Sequence, residues 1–108
     1  MSEFTVNEML EMQKTLQEKY KNLWEELSPE KGKRQLLWMI GELGEVIDIV
    51  KKHGDNKIIE DKEIRSKFIE ELADVLMYFN DILLCYDISS DELKESYVNK
   101  YNRNMNRW

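Results

Sequence analysis

The sequence predicts an all-α protein folded as an antiparallel four-helix bundle. Three observations predict it. Apolar residues recur at steps of three and four along most of the chain. Pro occurs once and Gly four times, while Leu, Glu, Lys and Met are abundant, a balance that favours helix over sheet. Capping sequences punctuate the apolar runs, and no segment shows the strict alternation of a strand. With 108 residues the chain makes a single domain, residues 1–108, because it is too short for two cores.

The first helix is expected from about Thr5 to Leu27. Thr5 and Glu8 have capping-box spacing, and Met9, Met12, Leu16, Tyr20, Leu23 and Leu27 form the apolar stripe. Ser28-Pro29 supplies an N-cap and a proline at the first helical position. The second helix runs from Pro29 to about His53, with Leu36, Ile40, Leu43, Ile47 and Val50 as its core stripe. Gly54 stops it. Residues 54–62 read as a mostly polar connection. The third helix spans about Glu63 to Tyr86, with core positions Phe68, Leu72, Val75, Phe79 and Ile82. Ser89 and Glu92 form a second capping box and open a fourth helix that reaches the C-terminus.

The formal net charge of −6 argues against a nucleic-acid polymer or an anionic membrane surface as partner. A nucleotide ligand remains compatible, because a bound divalent metal reverses the local field. No run approaches the length of an apolar span, and the N-terminus lacks a basic-then-apolar signal pattern. The single Cys85 excludes an internal disulfide and fits a reducing, cytoplasmic compartment; its apolar context reads as core. A core this modest makes self-association, as a homodimer or homotetramer, an expectation.

The carboxylates carry the chemistry. Composition alone gives about four acidic pairs spaced three apart, and six are present, so context must separate them. Glu8 and Glu92 sit in first turns, where the helix dipole favours acids. Glu11, Asp48 and Glu63 have lysines at helical pairing distance. Glu42, Glu45 and Asp74 have none, and Glu71 has only Lys67. Glu42 and Glu45 flank Leu43, and Glu71 and Asp74 flank Leu72. If the two helices pack through those leucines, four carboxylates converge at one level. Uncompensated, the cluster destabilises the fold and raises its pKa values. A cation resolves the conflict, and an all-oxygen ligand set suits Mg²⁺ or Mn²⁺ rather than Zn²⁺. The competing reading is a solvated acidic face. Di-iron chemistry is disfavoured, because His53, the one histidine, lies at a helix end where it complements the dipole.

Glu42-Leu-Gly-Glu45, 25 residues, then Glu71-Leu-Ala-Asp74 resembles the E-x-x-E…E-x-x-D signature of the MazG-like all-α nucleoside triphosphate pyrophosphohydrolases, relatives of the dCTP and dUTP pyrophosphatases. Tyr78, one turn after Asp74, and the C-terminal Lys100-Tyr-Asn-Arg-Asn104-Met-Asn-Arg107-Trp108 resemble further family patterns. Gly41 stands where some relatives carry another acid. The resemblance implies Mg²⁺-dependent hydrolysis of a (d)NTP to a nucleoside monophosphate and pyrophosphate, as house-cleaning of the nucleotide pool, in a dimer or tetramer. It assigns Glu42, Glu45, Glu71 and Asp74 to metal, with Glu42 also as the base that activates water. Lys100, Asn104 and Arg107 fall on one helical stripe suited to phosphate and sugar oxygens, or form a basic surface edge. Trp38, one turn before Glu42, either stacks on the base or packs in the core. Tyr78 packs or hydrogen-bonds a phosphate. The alternative class is a non-catalytic helical nucleotide sensor or protein-interaction module.

Overall fold

Local capping chemistry sets the helix boundaries in the computed structural model, which describes residues 3–107. The elements are α1 (Val6–Lys19), α2 (Pro29–His53), α3 (Asp55–Glu60), α4 (Lys62–Cys85) and α5 (Ser90–Met105). No strand occurs among the described residues. Thr5 with Glu8, and Ser89 with Glu92, form reciprocal capping boxes, and Ser28 caps α2 ahead of Pro29. Asp61 caps α4 by accepting from the backbone of Glu63 and Ile64, at 3.0 and 3.1 Å. At the other end of α4, Asp87 takes a left-handed φ of 55°. Ile88 N–H donates to Leu83 O and Asp87 N–H to Leu84 O, the two bonds of a Schellman stop.

Two expectations fail at their edges. The first helix ends at Lys19 rather than Leu27: the Tyr20 and Trp24 rings stack at 4.7 Å across a turn, and Leu23 is left exposed. The supposed connection after Gly54 contains α3. Gly54 turns the chain with a φ of 81°, and Ile58 then buries itself, which anchors the short helix.

Helices α2 and α4 form the main pairing. They run antiparallel, since Gly32 at the start of α2 lies against Cys85 and Tyr86 at the end of α4. The seam is not the predicted stripe. Gly32, Gln35, Met39, Glu42, Val46 and Ile49 of α2 turn inward, whereas Ile40 and Ile47 remain 62% and 54% exposed. Leu43 and Leu72 also face outward. The helix is rotated by about one residue, roughly 100°, from the expected face. Gly32 supplies a reason: a Cβ there would lie 2.6 Å from the Tyr86 ring and 3.1 Å from Cys85 Cβ, so its bare backbone lets this face approach. Helix α1 lies across α4, and among the described elements α5 packs against α1. The buried set is as polar as it is apolar, with Gln13, Gln17, Lys31, Glu71, Asn80 and Asp81 beside Leu10, Val46, Ile58, Leu83 and Cys85.

If Ile58 anchors α3, Ile58→Ala should destabilise the protein by about 2–3 kcal/mol in urea unfolding, the scale of a buried large-to-small change. Ile59→Ala, at an exposed neighbour, should stay within about 0.5 kcal/mol. Equal effects would show that α3 does not depend on Ile58.

Candidate functional site

Rotation of α2 places carboxylates, not leucines, in the α2–α4 seam. One oxygen from each of Glu42, Glu45 and Glu71 lies within 4.8 Å of the others. Glu42 is half-buried, Glu45 exposed and Glu71 buried. Lys67, one turn before Glu71, meets its Oε1 at 3.1 Å. Glu42 Oε2 and Glu71 Oε2 are shut off from solvent without a hydrogen-bond partner. Buried acceptors are rarely left so, and two orphaned carboxylate oxygens fit a bound cation. Asp74 stands beside this group, half-buried, outside the tight three-oxygen set.

The electrostatics follow from this geometry. Burial, then the charges of Glu45, Asp74 and Glu71, push the Glu42 carboxyl above its ordinary value. Glu45 is raised chiefly by the Glu71 carboxyl, since one proton between the two is favoured and two negative charges are not. Asp74 is raised by burial and then by Glu71. Glu71 moves the other way, lowered by its hydrogen bond to Lys67. Lys67 also meets Glu70 at 4.0 Å and eases Asp74 only weakly, so Glu42, Glu45 and Asp74 all stay raised.

A cavity of about 490 Å³ opens beside the acids. Asp74, Tyr78 and Trp38 line it, so the structure brings these three expected residues together. Burial and then the charge of Glu42 raise the Tyr78 hydroxyl pKa, which keeps it a hydrogen-bond donor. Lys100, Asn104 and Arg107 are not brought here: Lys100 and Asn104 ride on α5, which packs against α1, and Arg107 follows its C-cap Asn106. Trp108 lies outside the described residues. The sequence reading missed the polar end of the cavity, where Asp81, Gln13, Gln17, Gln35 and Lys31 gather. A signal existed, because Asp81 follows Tyr78 by three and Asp74 by seven on the same face of α4.

A model of the MazG nucleotide pyrophosphohydrolase domain matches residues 30–107. The chain belongs to this family. No curated protein and no solved structure matches it. The matched segment holds both acidic motifs and the α5 basic stripe and leaves out α1, which supplies Gln13 and Gln17 to the cavity. Among the described residues no helix is long and apolar enough to cross a membrane.

The raised carboxyls give a signed pH effect. An acid whose folded pKa is raised adds stability at low pH that is lost as pH climbs through that pKa. Metal-free Glu42→Gln should therefore melt a few degrees above wild type at neutral pH, and the gap should close as pH falls through the raised Glu42 pKa to the ordinary carboxylate value. Thermal melts in chelator at several pH values check this. A variant that melts below wild type at neutral pH would mean that Glu42 is not under electrostatic stress.

Proposed function

We propose that the protein hydrolyses nucleoside triphosphates between the α and β phosphorus atoms, releasing a nucleoside monophosphate and pyrophosphate, with Mg²⁺ or Mn²⁺ as cofactor. The observation that carries this reading is the pair of orphaned oxygens, Glu42 Oε2 and Glu71 Oε2, on carboxylates that converge within 4.8 Å in a MazG-family chain. Glu42, Glu45 and Glu71 would hold the metal, with Asp74 at the cavity side. Such an ion neutralises polyphosphate charge and polarises the phosphoryl group when bound. The remaining chemistry belongs to this chain. Glu42, with its raised pKa, accepts a proton from the attacking water and orients it. Lys67 holds Glu71 in place. Tyr78 donates to a phosphate oxygen. No nucleophilic side chain is required. A reducing, cytoplasmic setting and a role in cleaning the nucleotide pool fit this activity and the buried free Cys85.

We further propose that the working form is a homodimer or a larger homo-oligomer. The lone chain exposes 8745 Å², against about 6400 Å² for a monomer of its mass. Its radius of gyration is 16.3 Å, against about 13 Å for a compact chain of this length. The excess surface is on the scale of a permanent interface, and the exposed Leu37, Ile40 and Ile47 face of α2 supplies the apolar part. A second copy would offer phosphate contacts, bringing Lys100 and Asn104 on its α5 and Arg107 just beyond it.

Glu42→Gln should lower pyrophosphate release by roughly a hundredfold or more while still binding a non-hydrolysable dNTP with Mg²⁺. Loss of metal binding with activity would make Glu42 a ligand first and turn the search for the base to Glu45. Wild type that binds dNTPs yet releases no pyrophosphate would favour a sensor.

Mg²⁺ should also raise the melting temperature of wild type, and Glu71→Gln should abolish most of that shift. An unchanged shift would remove Glu71 from the ligand set. For assembly, light scattering at micromolar concentration should give a dimer or tetramer, and Ile40→Glu should shift it toward monomer. Monomeric wild type would overturn the assembly proposal.

A further inference from the structure

The cavity carries a second set of groups that a triphosphate does not need. Its far end is built on Asp81, seven residues beyond Asp74 on α4 and so about 10 Å further along the helix axis. Asp81 is only 6% exposed. Its Oδ1 accepts from Gln13 Nε2 at 2.8 Å and Gln17 Nε2 at 3.3 Å, and its Oδ2 accepts from Gln35 Nε2 at 3.2 Å. Lys31 Nζ donates to Gln17 Oε1 at 2.7 Å, which fixes the Gln17 amide with its carbonyl toward the ammonium and its N–H toward the carboxylate.

Three hydrogen bonds leave a carboxylate with acceptor capacity, since it offers about four lone-pair sites. Oδ2, with one bond, holds the spare one, and Asp81 lines the cavity. Trp24, Trp38 and Tyr78 give the same cavity flat aromatic walls. Asp81 balances the buried Lys31 through Gln17, and that role leaves the spare site on Oδ2 unused. Aromatic walls and a prepositioned anionic acceptor, one nucleotide's reach from the acids, make a base pocket.

We propose that this cavity binds the nucleobase, and that Asp81 selects bases presenting an exocyclic amino group: cytosine over uracil, and adenine over hypoxanthine. The amino group donates to Asp81 Oδ2. In uracil and hypoxanthine a carbonyl oxygen takes that place, acceptor faces acceptor, and both go unpaired. The proposal rests on the hydrolase reading above and assigns its substrate class.

The test is pyrophosphate release from dCTP, dUTP, dATP and dITP by the wild-type protein with Mg²⁺. kcat/KM should favour dCTP over dUTP, and dATP over dITP, by about tenfold or more, the scale of a good base-edge contact. Asp81→Asn, which presents an N–H₂, should cut the dCTP preference at least about fivefold. Because Asp81 also ties α1 to α4, a dCTP analogue lacking the 4-amino group gives the same answer on wild type, and it should fall toward dUTP. Equal rates for each pair, or faster dUTP, would overturn the base assignment and leave the hydrolase standing. If no triphosphate releases pyrophosphate, the hydrolase reading falls instead. The assignment is then read from melting shifts with α,β-imido dCTP and dUTP: a larger shift with the dCTP form supports it, and equal or absent shifts overturn it.

Discussion

Like charges held together across the α2–α4 seam are the constraint on which the rest of the structure depends. Glu42, Glu45 and Glu71 repel one another, and of the three Lys67 meets Glu71 directly. Such a cluster persists only if the two helices cannot slide or rotate apart. The fold supplies a clamp at each end. At one end the bare backbone of Gly32 sits against Cys85 and Tyr86. At the other, α3 and the Asp61 cap fix the reversal of the chain, with Ile58 buried beneath it. Between the clamps, Val46 is buried beside the acids.

The polar interior beside the seam obeys a related rule. Lys31 and Asp81 are both buried, and Gln17 stands between them, bonded to each. An amide between two opposite charges lets both be satisfied without direct contact. The same side chain joins α1 to α2 and α4, so the ordering of the cavity and the docking of α1 are one event. The Trp24 ring beside Lys31 extends this join to the turn after α1.

Much of this was legible in the chain. Helix starts are local events, so Thr5, Ser28-Pro29 and Ser89 could be read directly, and the structure places caps at all three. Helix rotation is not local. Helix α2 carries two stripes at helical spacing, and the more apolar one, through Leu36 and Ile40, is the one left outside. Periodicity cannot rank a stripe bearing Gln35 and Glu42 above it; only the approach at Gly32 does. The convergence of the acids was therefore anticipated through the wrong face. Helix α3 is too short for any periodic signal. Asp81 escaped notice because its partners are uncharged glutamines from two distant segments, α1 and α2, and distance in sequence hides hydrogen bonds.

The close packing at Gly32 has a consequence for how this molecule can be watched. Cys85 lies beneath that contact, 5% exposed, and burial pushes its thiol pKa up. It is the chain's one thiol. A sulfhydryl reagent can reach it only while this end of the seam is open. Its modification rate in the folded protein is then a clock for local breathing, as amide exchange is for a single hydrogen bond. Cys85 is thus a native reporter at the Gly32 clamp, and any occupant that tightens the seam will slow that clock without touching the sulfur.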